Sequence, residues 1–314
     1  MEQFQIVLNQ ITVFLIITAV GFIAVKTKVL DDTGLTVITK LFTKLVLPFL
    51  LFTNTVNGTT RAEILNNLHI IPISIAVYVV LILVSQLLAR LLKLDKTHAR
   101  LFALANTFGN VGVIGIPMLM ALFGQKVMMY IAVFTVVDML VIWTYGFALS
   151  YPGDIKFRLE IKALKNMINP PLVSVLLALI FVLLDIRPFS MLNNAFVTIA
   201  AASTPLPFIY LGGMIAVCDI KKSLSHYEFY IGIAVKMVII PIIAFLVLRA
   251  IGVNDELVMT TTIIIALPPL AITPMLARMN NSDEEYATAS IVITTLASLI
   301  TLSFVSYLTS VVLK

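Results

Sequence analysis

Ten stretches of about twenty mostly apolar residues follow one another along this chain, and few folds accommodate that pattern. They fall at 5–25, 35–55, 67–92, 99–122, 126–150, 167–186, 190–218, 227–250, 256–279 and 285–312. A helix rising 1.5 Å per residue crosses a hydrocarbon core about 30 Å thick in about 20 residues. With no water at that depth, the backbone must satisfy itself, which helices and closed barrels alone achieve. Charged residues make up only 12% of the 314, about half the share usual in soluble domains. The expected fold class is an all-α membrane protein of ten transmembrane helices. The longest stretch outside them, roughly 151–166, is too short to fold as a soluble domain. The first apolar run lacks a basic lead-in and a small-residue cleavage site, so it is expected to remain as the first span.

A net charge of +5 could suggest nucleic acid, but the basic residues are scattered through short loops instead of gathered on one face. They report orientation instead. Loops 1, 3, 5, 7 and 9 hold Lys26 and Lys28; Arg90, Lys93, Lys96 and Arg100; Lys156, Arg158, Lys162 and Lys165; Lys221 and Lys222; and Arg278. The other side holds Arg61, Lys126, Arg187, Arg249 and Lys314. A bias of 13 to 5 places the odd loops in the cytoplasm and both termini outside. Lys40 and Lys44, near the end of segment two, are expected to snorkel. Cys218 is the one cysteine and makes no intramolecular disulfide.

Segments two and seven share Leu47-Pro48-Phe49 and Leu206-Pro207-Phe208, 159 residues apart. The same offset sets Gly109-Asn110 of segment four against Pro268-Pro269 of segment nine. Each pair is five segments apart, and five is odd, so the second half enters the membrane inverted. The expected domains are a first repeat over 1–155 and an inverted second repeat over 156–314.

Within segment four, Gly109, Gly112, Gly115 and Pro117 crowd nine positions. Glycine costs a helix interior about 1 kcal/mol and proline about 3 kcal/mol relative to alanine. Such a cluster at membrane depth indicates either tight helix packing or a broken helix lining a wet cavity. Asn106, Thr107 and Asn110 add polar groups and favour the break. Segment nine answers with Pro268, Pro269 and Pro274, which no uninterrupted helix holds. Thr273 lies among them. Two broken helices crossing near the midplane would aim half-helix N-termini at a bound carboxylate.

Ionisable residues at depth are expensive. Asp138 sits mid-segment five, where it either carries a proton or cation or is hydrogen-bonded within the bundle. Lys236, in segment eight, is either a charge partner and anion attractor or a snorkelling side chain. His69, His98 and His226 fall at helix ends and read as solvated, while Trp143 and the tyrosines read as packing or interface anchors. No phosphate-binding loop, zinc motif or arginine-rich voltage sensor is present, so ATP is not the direct energy source. No cofactor is expected.

These residues resemble the auxin efflux carrier family, which includes plant auxin exporters and bacterial malate-permease-like members. The resemblance spans essentially the whole chain. Its residues are Val20 to Lys26, Leu47-Pro48-Phe49, Asn106-Thr107 with Asn110, Gly115-Ile116-Pro117, Asn169-Pro170-Pro171, Gly212-Gly213, Leu267-Pro268 and Pro274. It implies two inverted five-helix repeats, as in the sodium/bile acid symporter-like fold. Segments 1, 2, 6 and 7 would form a scaffold, and 3–5 and 8–10 a transport domain around crossing, broken segments four and nine. Plant members have proline in place of Gly109 and glutamine-glycine in place of Pro269-Leu270. The second departure alters the site lining, which argues against auxin itself as the substrate. The long cytosolic loop of plant members is also missing.

The expected function is secondary transport of a small organic anion, malate or a related carboxylate, across the plasma membrane. Asn106, Asn110 and Thr273 are the expected polar contacts. Asp138 is the coupling candidate, for a proton or sodium, and a homodimer would form through the scaffold. The alternatives are a membrane-embedded anion receptor that does not transport, a cation/proton antiporter on a related fold, and an intramembrane enzyme. Antiporters usually place adjacent acids at the crossing, which is neutral here. No catalytic cluster supports the enzyme.

Overall fold

The computed structural model describes residues 2–153, 170–217 and 225–312. Outside them lie the 155/156 boundary, Lys156, Arg158, Lys162, Lys165, Asn169, Cys218, Lys221, Lys222 and Lys314. The described residues form helices and no strand. In chain order these are α1 (Glu2–Lys26), α2 (Asp32–Gly58), the short α3 (Arg61–Asn66), α4 (Ile70–Leu91), α5 (Lys96–Thr107) and α6 (Ile116–Phe123). Then come α7 (Met128–Val141), α8 (Pro170–Leu183), α9 (Ser190–Val217), α10 (Tyr227–Ala250), α11 (Asp255–Ala266), α12 (Thr273–Met279) and α13 (Glu284–Val312).

Among the described residues four helices, α2, α4, α9 and α10, are long and apolar enough to cross a membrane. A fifth span arises if Glu284–Ser298 and Ile300–Thr309 of α13, bent by 45°, count as one. Segments four and nine do not qualify as single helices, because each is interrupted where its glycines or prolines fall. Large apolar side chains face outward along the long helices, among them Val20, Ile23, Leu83, Leu87, Ile243 and Leu246. Lipid is the solvent that tolerates such a surface.

Polar caps mark where the helices begin. The Asp31 carboxylate accepts from the Gly34 amide (2.7 Å), Asp95 from Thr97 and His98 (2.9 and 3.1 Å), and Asn254 from Leu257 (2.8 Å). Thr60 and Glu63 form a reciprocal capping box at α3. The far end of α2 is closed by Arg187, which donates to the carbonyls of Val56 and Thr59 and so serves the orphan acceptors there.

Glycine permits the closest helix contact. A Cβ on Gly212 would meet the Thr18 carbonyl, and one on Gly21 the Ile209 carbonyl, both far inside contact distance. The backbones of α1 and α9 therefore touch, as small residues allow in membranes. Phe14 stacks on Phe208 beside them, with centroids 4.3 Å apart. Both α2 and α9 run through their shared Leu-Pro-Phe, but each is distorted just before it. A π turn at Phe42–Val46 precedes Leu47, and a 3-10 turn at Ala201–Ser203 precedes Leu206.

His69 is exposed, as expected, whereas His98 and His226 depart from the solvated role expected of them. His98 lies one residue before segment four, with Nδ1 2.6 Å from Asp95 and Nε2 3.1 Å from Asp283, and its ring stacks on Tyr286. His226 packs edge-on to His98 and pairs with Glu228 at 2.9 Å. The hydrogen bond to Asp283, with the charges of Asp95, Asp283 and Glu228, raises the His98 pKa above 6.5 against the opposing effect of burial. A raised value means stability that is complete below 6.5 and fades as pH rises through the folded-state value. Thermal melts across this range are expected to show His98→Gln less stable than wild type at acid pH. The gap should close at alkaline pH; a gap independent of pH would contradict the assignment.

Candidate functional site

The two interrupted segments meet at their breaks. After Thr107 the backbone extends through Phe108 and resumes as a π turn at Val111–Gly115 leading into α6. After Ala266 it extends at Leu267 and resumes as α12 at Thr273. Gly109 and Pro269 pair as an antiparallel bridge, and the Asn110 amide donates to the Pro268 carbonyl at 2.9 Å. Two chains unwound at the same point thus satisfy one another, which is what apolar surroundings require of exposed backbone.

The glycines divide between the two roles open to them. A Cβ on Gly109 would sit 2.9 Å from the Ile264 carbonyl, and one on Gly115 2.7 Å from Leu267 Cδ1. These two permit the crossing to close. A Cβ on Gly112 would meet only Leu50 Cδ2, at 3.8 Å, because Gly112 faces a cavity. Pro274 occupies the first turn of α12, where a missing amide hydrogen costs little, and Pro117 follows directly on the π turn that leads into α6. Four π turns interrupt the described helices, at Phe42–Val46, Val111–Gly115, Ile142–Gly146 and Val235–Ile239. Such turns recur at functional sites.

The expected polar contacts separate. Asn110 is buried at the bridge, and its carbonyl takes the amides of Ile114 and Gly115. Asn106 is turned toward Gly232 of α10 and donates to the Phe102 carbonyl of its own helix. Thr107 shares a 3.0 Å hydrogen bond with Ser85 of α4. The Thr273 hydroxyl donates to the Leu270 carbonyl (2.7 Å) and closes the turn before α12.

Lys236 and Asp138 both lie behind the crossing. Lys236 is 2% exposed, within the π turn of α10, and its ammonium donates to the Leu267 carbonyl at the broken end of α11. A cation at a helix C-terminus is favoured by the dipole and satisfies an orphan acceptor. Snorkelling is excluded by that burial. Asp138 is fully buried in α7, and the Tyr78 hydroxyl of α4 donates to its Oδ1 while its Oδ2 has no partner. The Tyr78 ring packs against Phe108, the residue at the break, with centroids 5.9 Å apart.

A cavity of about 360 Å³ opens beside the crossing. Its walls are Leu50, Thr53, Asn54, Asn57 and Gly58 of α2, Val197, Ala200, Ala201, Ser203 and Thr204 of α9 at and before its 3-10 turn and just past it, and Gly112 and Ile116 of the crossing. Asn57 donates to Asn193 at 3.1 Å across its mouth. A volume of that size suits a small solute, and amides and hydroxyls from two sides orient a polar one. Two other cavities, of about 410 Å³ between α4 and α10 and about 590 Å³ among α2, α3, α4, α7 and α8, are walled almost wholly by aliphatic side chains. Sequence reasoning passed over Thr53, Asn54, Asn57, Ser203, Thr204 and Tyr78. The usable signal was a run of polar side chains inside otherwise apolar segments.

The family model described as membrane transport protein matches residues 6–158 and 154–306, nearly the whole chain. The chain belongs to this family. No curated protein compared with it matches. Membership of the auxin efflux carrier/membrane transport family agrees with the resemblance carried by the motifs, and its members are transporters, not enzymes. The crossing and its cavity are therefore features of a membrane transport protein.

Proposed function

We propose that this membrane transport protein is a secondary active transporter of a small organic anion, malate or a related carboxylate. The anion would bind in the cavity against the crossing and pass the plasma membrane by alternating access. The observation that carries this reading is the polar cavity where α2 and α9 face the broken segments. Of the crossing, Gly112 and Ile116 form its wall, and Asn110, Gly109, Gly115, Pro268, Pro269, Thr273 and Pro274 shape the crossing behind that wall. Asn106 and Thr107 support that wall from behind.

In this reading all ten segments cross as two inverted repeats, with both termini outside. The bridge gives this physical support. The offset of 159 equates Gly109 with Pro268 and Asn110 with Pro269. The observed pairs are Gly109 with Pro269 and Asn110 with Pro268, the exchange a local two-fold axis produces. The matching distortions before Leu47 and Leu206 point the same way. A homodimer through the α1, α2, α8 and α9 face belongs to the same proposal.

Lys236 supplies the one buried cation at the crossing among the described residues, and it attracts an anion without lining the cavity. Asp138, with one carboxylate oxygen unpartnered, is the proposed coupling group for a proton or sodium. Counterflow in proteoliposomes tests the reading. Vesicles loaded with unlabelled malate are expected to accumulate labelled malate, and Asn110→Ala to lose that accumulation. A folded wild type inactive across a carboxylate panel would overturn transport and favour an anion receptor.

A further inference from the structure

The end of the molecule opposite the cavity is held by a compact polar cluster. Arg278, in the last turn of α12, pairs with the Asp32 carboxylate at the start of α2 and donates to Glu284 at 3.1 Å. The hydroxyl of Tyr210 in α9 donates to the same Glu284 oxygen. Arg278 and Glu284 side chains are only 17% and 21% exposed, so solvent screens this pair weakly. Asp32 is not needed to begin its own helix, since Asp31 already caps it. Its own side chain is 83% exposed, so its pair with Arg278 is the weaker arm of the cluster.

The cluster joins α2 and α9, which wall the cavity, to the helices that follow the crossing in segment nine and beyond. On one side stand α2 and α9, and on the other α12, which leads directly from the crossing, and α13. From Asp32 to Thr53 of the cavity wall is 21 residues of helix, about 32 Å at 1.5 Å per residue. The cavity is therefore open at one end of α2 and the cluster closed at the other. Any movement of the crossing against α2 and α9 must separate Arg278 from Asp32 and Glu284 from Tyr210.

We propose that Arg278, Glu284, Tyr210 and Asp32 are a latch that holds the conformation with the cavity open and that must release for the opposite end to open. The proposal rests on the alternating-access reading and adds its regulation. Breaking a contact made in only one of two states shifts the population toward the other.

The test uses a Cys218→Ser background, which removes the chain's one native cysteine, with Asn54→Cys as reporter inside the cavity. In lipid nanodiscs, maleimide labelling of the reporter is expected to slow about fivefold or more in Arg278→Ala, as the cavity-open state loses population. Tyr210→Phe, which keeps the ring and removes only the hydroxyl, is expected to slow it in the same direction. Asp32→Asn should slow it as well, with Asp32→Glu restoring the rate. Unchanged labelling in folded Arg278→Ala and Tyr210→Phe, with counterflow intact in the wild type, overturns the latch alone. A wild type without counterflow for any carboxylate overturns the transport reading and the latch with it.

Discussion

Gly112→Phe is expected to abolish counterflow while leaving the protein folded, and Gly112→Ala to retain most of it. The first atom of a new side chain at Gly112 meets only Leu50 Cδ2, at ordinary contact distance, so alanine is accommodated. Beyond that atom lies the cavity of about 360 Å³, which an aromatic ring would occupy in place of substrate. A loss of at least about tenfold, equivalent to about 1.4 kcal/mol in substrate binding, is expected for Gly112→Phe. Gly109→Ala supplies the contrast. Its Cβ would press on the Ile264 backbone carbonyl at 2.9 Å, and a strained core typically loses about 1–3 kcal/mol. Gly109→Ala should therefore melt earlier, whereas Gly112→Phe should melt near wild type and fail only in transport. Equal destabilisation by both would mean that Gly112 packs rather than lines a site.

Lys236→Met is expected to give the largest loss of stability. It strands the Leu267 carbonyl at the broken end of α11. An unsatisfied buried polar group costs about 1–3 kcal/mol, and a buried ammonium bonded to it is part of what closes the crossing. The double substitution Lys236→Met with Asp138→Asn removes both charges, so it should lose less than the two single changes predict, by about 0.5–3 kcal/mol. Unfolding of the four proteins in detergent or nanodiscs completes that cycle. Strict additivity would mean that the two charges do not sense each other across the crossing.

The breaks in segments four and nine were legible because glycine and proline have a local cost that no tertiary context removes. Which polar residues share the crossing was not. Asn106 and Asn110 would share a face if the helix continued, but it ends at Thr107, and the two side chains part company. The glycine cluster kept two readings open and both apply, packing at Gly109 and Gly115 and a cavity wall at Gly112. Tyr78 and Tyr210, expected as anchors, are buried and bonded to acids, since an isolated phenol in an apolar run carries no pattern to betray its partner. The polar run Thr53 to Asn57 lies near the end of α2, where polar residues are ordinary, and only the approach of α9 makes it a wall. The contact of α1 with α9 at Gly21 and Gly212 is a long-range match that the sequence does not announce.

Protection of the cavity by substrate would locate the transport site. Asn54→Cys in the Cys218→Ser background is labelled with a maleimide in nanodiscs, with and without the carboxylate that drives counterflow. Labelling is expected to slow as substrate is added, over the same concentration range that saturates counterflow. Labelling indifferent to saturating substrate would contradict the placement of the transport site in this cavity.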